Sequence, residues 1–346
     1  MIETIFSFLG GGDKPTTPQL QPNNYNNSTT ESLESIAAEK AMTAVLKGDW
    51  DFVSRVLTLA PRVAKQRVTF HLFKEKTQAS LLHAIVSYSD APVALVEKAI
   101  HANPFAITST DTKHQCLPIH IALYNKAPKA VVDAILNATT HAFNNTNQDR
   151  DGNTPLHVAC FVASSETALK LIQKDPTSVF KCNEKKQLPL HMACSRSDPS
   201  KQVVDKLIEI HPKAVEAKNW QNRYPLHVAC VWKGDVGIVE ELTRLYPRAL
   251  RELDNTKRSP YDLATATTTT ITTTTTTRGG GGSLYKTDPI VNVLRNELSR
   301  DGSFWSRTRD QAKFAKEDCK ARRRRHHGRR GSKRQIVAVR DLMESH

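Results

Sequence analysis

The sequence has few aromatic residues and no long hydrophobic run. Phe, Trp and Tyr make up 6% of the 346 residues, and hydrophobic residues of all kinds make up 39%. This composition suits a core built as a thin layer of small aliphatic side chains. No apolar stretch approaches the roughly 18 residues that a membrane-spanning helix needs. We therefore expect no contact with a membrane.

The N-terminus also lacks the pattern of a secretory signal. Its apolar patch, residues 5–9, is short and follows Glu3, with no basic segment before it and no small-residue cleavage site after it. We therefore expect an intracellular protein, nuclear or cytoplasmic, whose Asn-X-Ser/Thr triplets carry no glycans.

Signatures of catalysis are missing as well. The sequence contains no phosphate-binding P-loop, no Gly-X-Gly-X-X-Gly after a strand, no His-Glu-X-X-His and no Gly-X-Ser-X-Gly. We expect a protein without enzymatic activity, cofactor, metal or small-molecule substrate.

What the sequence does contain is one motif, written three times. The copies are Thr-Pro-Leu-His-Val-Ala-Cys at 154–160, Leu-Pro-Leu-His-Met-Ala-Cys at 188–194 and Tyr-Pro-Leu-His-Val-Ala-Cys at 224–230. The histidine recurs after 34 and then 36 residues (191−157 and 227−191). Weaker copies centre on His83, His120 and Pro260. Self-similarity at this period predicts a solenoid, in which each unit buries its apolar face against its neighbours.

The motif and its spacing resemble the ankyrin repeat, most closely over residues 149–159. The resemblance implies an all-α solenoid of about seven helix-turn-helix units that binds a partner through its inner helices and fingers, the turns between repeats. It also implies that the repeated histidine is structural and ties a finger to a helix start. The family's usual Gly-Ala-Asp after the second helix is absent, and a proline such as Pro61 or Pro212 stands there instead.

The six cysteines include no Cys-X-X-Cys pair. Cys160, Cys194 and Cys230 occupy the same position in successive repeats, where stacked helices would hold them about 10 Å apart. We interpret them as small buried hydrophobic residues in a reducing compartment, not as metal ligands.

Each finger carries recognisable turn chemistry. Six residues before each motif proline stands a residue that can close an Asx turn: Asp149, Asn183, Asn219 or Asp254. Three residues before it, Gly152 and Asn222 can adopt a left-handed backbone cheaply, whereas Lys186 and Lys257 cannot. Thr154 and Ser259 can cap the following helix. Leu188 cannot, which should cost about 1 kcal/mol.

The chain is expected to have three parts. Residues 1–33 are polar and Gly- and Pro-rich, which predicts a disordered arm. Residues 34–300 hold the repeats, with Ala41 replacing the histidine in a first, capping unit. Residues 265–285, rich in Thr and Gly, are interpreted as a low-complexity insertion in the helix-to-helix turn of the last repeat. Residues 301–346 form a basic tail, disordered or partly helical.

The tail carries 14 Lys and Arg against 6 Asp and Glu, which is +8 of the chain's net charge of +14. Its densest basic residues are Lys320, Arg322, Arg323, Arg324, Arg325, Arg329, Arg330, Lys333 and Arg334. Such a segment is typical of a nuclear-import signal read by an import receptor. Two alternatives remain open, namely an arm that binds DNA or RNA phosphates and a solubilising tail that nothing reads.

The finger residues that the fold does not need are mostly basic, among them Lys113, His114 and Arg150. Our predicted partner-binding residues are Lys185, Lys186, Trp220, Arg223, Trp232, Lys257 and Arg258. Trp and Arg are frequent interface anchors, although a solvated polar ridge would also be basic. The sequence thus predicts a scaffold or adaptor that binds an acidic surface of another protein. The alternative is a nucleic-acid-associated protein whose affinity lies in the tail.

Overall fold

The structure is a computed structural model that describes residues 27–139, 148–162, 164–196, 198–272 and 288–300. The chain divides into two compact units, Met1–Thr267 and Thr268–His346. The predicted tail, and the part of the predicted arm before residue 27, lie outside the described residues.

The first unit is built from consecutive helix pairs. The pairs are α1 (Asn27–Lys47) with α2 (Trp50–Leu59), α3 (Leu81–Val86) with α4 (Val93–Ala102), α5 (Pro118–Tyr124) with α6 (Lys129–Ala138), α7 (Pro155–Val162) with α8 (Ser165–Lys174), α9 (Pro189–Cys194) with α10 (Lys201–Ile210), and α11 (Pro225–Trp232) with α12 (Val236–Leu245). Each first helix contacts the first helix of the next pair, and the second helices do the same. This nearest-neighbour packing is that of a solenoid.

A further first helix, α13 (Pro260–Thr272), follows the six pairs. The described residues of the second unit are the end of α13, residues 268–272, and helix α14 (Pro289–Arg300), in which Ile290, Val291, Leu294 and Leu298 are buried. The helix count therefore agrees with the expectation of about seven units.

A 3₁₀ turn follows most of the second helices. These turns are Pro61–Lys65, Pro104–Thr108, Pro176–Phe180, Pro212–Glu216 and Pro247–Leu250. Each opens with proline, which cannot continue the α-helix and is suited to the first position of the new turn. The third and fourth residues are buried, as Ala214 and Val215 are, so the turn adds to the core at the corner where the family's Gly-Ala-Asp is missing.

The core follows the inner helices. Every residue from Pro225 to Cys230 in α11 is buried, whereas α10 buries only Val203, Val204 and Leu207 on one stripe. Cys160, Cys194 and Cys230 are 0–3% exposed, and burial raises the pKa of the Cys194 thiol to about 12. These thiols pack as small hydrophobic side chains, as predicted.

One finger departs from an all-α chain. Strands β1 (Arg67–Leu72) and β2 (Glu75–Ser80) form an antiparallel hairpin whose register runs from Arg67 opposite Ser80 to Leu72 opposite Glu75. Side chains of β1 alternate between exposed and buried, with Val68, Phe70 and Leu72 buried. This two-residue period is the strand signature, and the hairpin makes the first finger, between the first and second helix pairs, longer than the others.

Two predicted boundaries shift. Helix α1 begins at Asn27, inside the range predicted as a disordered arm, and α13 continues to Thr272, inside the range predicted as an insertion. Both segments extend a helix that is already nucleated, and adding a residue costs far less than starting a helix. Threonine is a weak helix former but does not break a helix. Residues 273–287 lie outside the described residues.

Candidate functional site

The fingers form the candidate binding surface, and each finger after the hairpin is closed by a buried Asp or Asn. In one finger Asp149 Oδ1 accepts hydrogen bonds from the N–H groups of Asp151 at 3.0 Å and Asn153 at 2.8 Å. Asn219 and Asp254 bind their own fingers in the same way. These side chains are nearly inaccessible, with Asp254 4% exposed. The predicted Asx turns at Asp149, Asn219 and Asp254 are therefore confirmed. In the fourth finger Asn183 Oδ1 accepts the N–H of Gln187, four residues on, at 2.8 Å.

Successive fingers are joined by backbone hydrogen bonds. The bonds run from Thr112 N–H to Gln78 O, from Arg150 to His114, from Glu184 to Asp151, from Trp220 to Lys185 and from Asn255 to Gln221, at 2.7–3.1 Å. The fingers thus form one continuous ridge whose tips project outward. The backbone positions from which side chains of the ridge extend are therefore fixed relative to one another.

The left-handed position occurs in every described finger, whichever residue occupies it. Gly152 has φ +75°, Asn222 +60°, and the two lysines expected to resist it, Lys186 and Lys257, have +52° and +58°. The hydrogen bonds that close the turn therefore impose the conformation. A non-glycine residue there costs about 1–2 kcal/mol.

The repeated histidines hold fingers to helices. His83, His120, His157, His191 and His227 are all 0% exposed. In one repeat His191 Nδ1 accepts the N–H of Leu188 at 3.1 Å, and Nε2 lies 3.3 Å from the Arg223 carbonyl. A carbonyl only accepts, so Nε2 carries the proton and donates.

This arrangement confirms the structural role implied by the resemblance. It also offsets the missing cap at Leu188, because the imidazole takes the N–H that a capping box would satisfy. Burial lowers the pKa of each of the five imidazoles from 6.5 to about 4. They are neutral at physiological pH.

Trp220 is the most prominent exposed residue of the predicted partner-binding set. Its N–H donates to Lys185 O at 3.0 Å, and its carbonyl accepts from Asn255 Nδ2 at 2.9 Å. Its backbone therefore serves the fold, while the residue stays 55% exposed. These two hydrogen bonds are made by the backbone of Trp220 and do not need its indole side chain.

Arg223 differs from the expectation that it is free to bind a partner. Its Nε donates to Asp254 Oδ2 at 3.0 Å and its Nη1 to Gln221 Oε1 at 3.0 Å, and its side chain is only 13% exposed. Burial alone would raise the pKa of the Asp254 carboxyl. Hydrogen bonds from the Thr256 hydroxyl, the Arg258 N–H and the Arg223 guanidinium outweigh burial and lower this pKa to about 2. Arg223 is thus a bridge between fingers.

The remaining predicted residues present exposed or half-exposed side chains. Lys185, Lys186 and Lys257 are exposed at finger tips. Arg258 keeps a side chain 43% exposed, although its Nε donates to Thr256 Oγ1 at 2.8 Å. Trp232 is 49% exposed at the C-terminal end of α11. Helix α11, eight residues and about 12 Å long, lies between Trp232 and the finger that carries Trp220. The nine basic tail residues lie outside the described residues.

The structure also has an aromatic cluster on the hairpin, which the basic character of the fingers did not predict. Phe73, at the hairpin tip, lies edge-on to His114 and Tyr124 with ring centroids 5.3 and 5.6 Å apart. The Tyr124 hydroxyl donates to Asp149 Oδ2 at 2.7 Å. In the sequence, polar and apolar residues alternate over β1, which indicates a strand, and Phe73 follows directly at the turn.

Within the described ranges, no helix combines the length and apolar character needed to cross a membrane. The same residues bring no three His, Cys, Asp or Glu side chains together where they could hold a metal ion.

No family model matches the sequence, and no curated protein matches it. Solved structures do match the fold. The ankyrin repeat domain of human ASB11 is similar with a TM-score of 0.50 and 17% sequence identity, over 74% of this chain and 96% of that chain. The ankyrin repeat domain of Bcl-3 has a TM-score of 0.48 and 19% identity, over 74% and 97% of the two chains. The ankyrin repeat protein EF0377 has a TM-score of 0.45 and 16% identity, over 62% and 95%.

Proposed function

The chain is an ankyrin-repeat protein by its fold, and from that premise we propose that it is a non-enzymatic scaffold or adaptor. It binds an acidic segment of another protein along its fingers and inner helices. The contact in the later repeats is centred on Trp220, with Lys185, Lys186 and Lys257 around it and Trp232 at the far end of the inner helix.

The observation that carries this proposal is that the backbone of Trp220 serves the fold while its side chain remains exposed. Its backbone is bonded to both neighbouring fingers, yet the residue is 55% exposed. A large indole left in water at a turn is costly unless a partner covers it, and tryptophan is among the residues that most often dominate an interface. Exposed lysines beside it favour a partner of opposite charge.

The test compares full-length Trp220→Ala with the parent chain in affinity capture, followed by titration of the purified partner. Binding should weaken by about 2 kcal/mol or more, and moderate salt should weaken the parent complex. Phe105→Ala is the matched control, because Phe105 is 80% exposed on a 3₁₀ turn away from the finger tips. A Trp220 variant that melts several degrees lower and binds normally would show that the indole only packs.

For the tail, we propose a nuclear-import signal, supported by the density of Lys and Arg over residues 320–334. Changing residues 322–325, 329 and 330 to Ala should move a fluorescent fusion towards the cytoplasm while the melting of the repeats stays the same. An unchanged distribution would favour the nucleic-acid arm or a tail without a reader. Salt-dependent binding to DNA or RNA would then separate those two.

A further inference from the structure

A cavity of about 530 Å³ lies in the corner between the hairpin and helix α5, away from the last three fingers. Phe73, His114 and Tyr124 line it together with Arg150 and Asp151. Pockets that bind small molecules or anchoring groups span about 300–1,000 Å³. The cavity is therefore large enough for one bulky side chain and the backbone next to it.

The aromatic walls of this cavity are held in place. Phe73 meets both His114 and Tyr124 at an interplanar angle of 88°, the edge-to-face geometry that aromatic rings favour. Tyr124 is anchored by its hydrogen bond to Asp149, which is itself 6% exposed and bound to its own finger. A site that is rigid before binding loses less entropy when it is filled.

Phe73 occupies a position that the fold alone would fill differently. Phe73 and Lys74 are the two central residues of the hairpin turn, with φ +51° and +71°. Such a turn favours Asn-Gly, since both residues must be left-handed. A phenylalanine there is strained by about 1–2 kcal/mol, and it remains 45% exposed. Other fingers hold left-handed lysines as part of their turns, but here the strained turn presents an exposed aromatic ring to a cavity, which suits a binding site.

Among the charged residues that line the cavity, Arg150 and Asp151 are exposed and Asp149 is buried. The residues next to the lining add three exposed lysines, Lys74, Lys76 and Lys113, and one exposed carboxylate, Glu75. The exposed charges around the cavity are therefore four basic and two acidic. Within the part of the chain that the structure describes, Arg150 makes no ion pair. Its N–H donates to His114 O at 2.7 Å, which fixes the start of the side chain beside the rings. A free guanidinium next to an apolar wall suits a carboxylate adjacent to an apolar group.

A cationic occupant fits less well. Asp149 is the buried carboxylate that lines the cavity, and both of its oxygens already accept hydrogen bonds, from two backbone N–H groups, Tyr124 and Asn153. Asp149 therefore has little capacity left for a lysine or arginine side chain. Asp151 also lines the cavity, but the exposed basic residues around it outnumber the exposed acidic ones.

We propose that this cavity takes an aromatic or large aliphatic side chain from an extended acidic segment of another protein. A carboxylate beside that side chain pairs with Arg150. The inference rests on the proposed function and adds a second contact region, formed by the hairpin finger and the two fingers after it.

The experiment starts from the full-length chain and synthetic peptide probes. The probes are Asp-Glu-X-Asp-Glu with X as Phe, Leu, Ala or Lys, and Lys-Lys-Phe-Lys-Lys as the charge-reversed control, titrated by fluorescence anisotropy. The Phe and Leu probes should bind about tenfold or more tightly than the Ala probe. Arg150→Ala should weaken the acidic Phe probe and reduce its advantage over the charge-reversed one.

The decisive variant is the double change Phe73→Asn with Lys74→Gly. It relieves the strain of the turn, so the melting temperature should stay the same or rise, while the Phe probe loses about tenfold or more in affinity. Lys74→Gly alone keeps the ring and should keep the preference for Phe over Ala. A double variant that binds like the parent, or a parent that prefers the Lys probe, would overturn the proposal.

The same probes separate this proposal from the proposed function. A twelve-residue random peptide library should be selected on the parent chain in parallel. Selected acidic peptides whose binding depends on Trp220 and not on Phe73 would remove the cavity from the interface and leave the adaptor role standing. A parent chain that enriches no acidic peptide contradicts both.

Discussion

The guanidinium of Arg223 lies between two fingers and is bonded to the carboxylate of Asp254, which is 1% exposed. A carboxylate so deeply buried needs donors, because an uncompensated charge away from water costs several kcal/mol. Three kinds of donor supply it here: a hydroxyl, backbone N–H groups and the guanidinium. At the scale of single residues, a basic side chain in a finger can therefore stabilise the fold, although its sequence position suggests that it binds a partner.

We expect Arg223→Ala to lower the free energy of unfolding by about 2–4 kcal/mol, since it leaves the buried carboxylate short of a partner. Urea denaturation followed by circular dichroism measures this. Lys201→Ala is the control, because the Lys201–Asp205 pair is exposed (54% and 49%) and should be worth less than about 1 kcal/mol. Equal losses in the two variants would contradict the bridging role.

At the scale of the element, the finger is a five-residue turn whose geometry is set by hydrogen bonds more than by residue preference. Lys186 and Lys257 adopt the left-handed backbone that Gly152 adopts. The fingers differ in space, however. A Cβ on Gly152 would lie 2.7 Å from the Glu184 N of the next finger, closer than real Cβ contacts come.

Gly152→Ala should therefore destabilise the array by about 2 kcal/mol or more, from backbone strain and from the displaced neighbouring finger. Lys186→Ala is the matched control at the equivalent position. It already has a Cβ and a φ of +52°, so we expect a change within about 0.5 kcal/mol. Urea midpoints of the two variants give the comparison, and a Gly152 variant as stable as the parent would show that the fingers can move apart freely.

At the scale of the whole molecule, five neutral imidazoles are distributed along the array and give it a common response to acid. Each is buried with a pKa lowered to about 4, whereas the ordinary value of 6.5 applies once the chain unfolds. Between these values the unfolded chain binds more protons than the folded one. Stability is then complete above about pH 6.5 and is lost as the pH falls towards 4. Asp254 titrates lower, near pH 2.

We expect the melting temperature to fall steadily between pH 7 and pH 5, with about five protons taken up on unfolding near pH 5. Calorimetry in buffers of different ionisation enthalpy measures this uptake. His191→Gln should reduce it by about one proton. An uptake near zero would mean that the imidazoles are charged in the folded protein.

The sequence by itself determined the repeat architecture. The proline of each motif starts an inner helix, and the Asp or Asn before it closes a finger. These features depend on residues that are close in sequence, and they recur from unit to unit. The same local sequence pattern therefore predicts most of the array. The alternation of polar and apolar residues over β1 indicates a strand, but the sequence on both sides has the helical period, and the hairpin was not predicted.

Only the tertiary structure decided which side chains remain available to a partner. Arg223 is committed to Asp254, 31 residues later, whereas Trp220, three residues earlier in the same finger, is left exposed. The cavity beside Phe73 likewise joins side chains from a hairpin, a helix and two fingers. Pairings across repeats depend on the spacing and orientation of stacked units, and the motif, which is nearly the same in each unit, does not encode them.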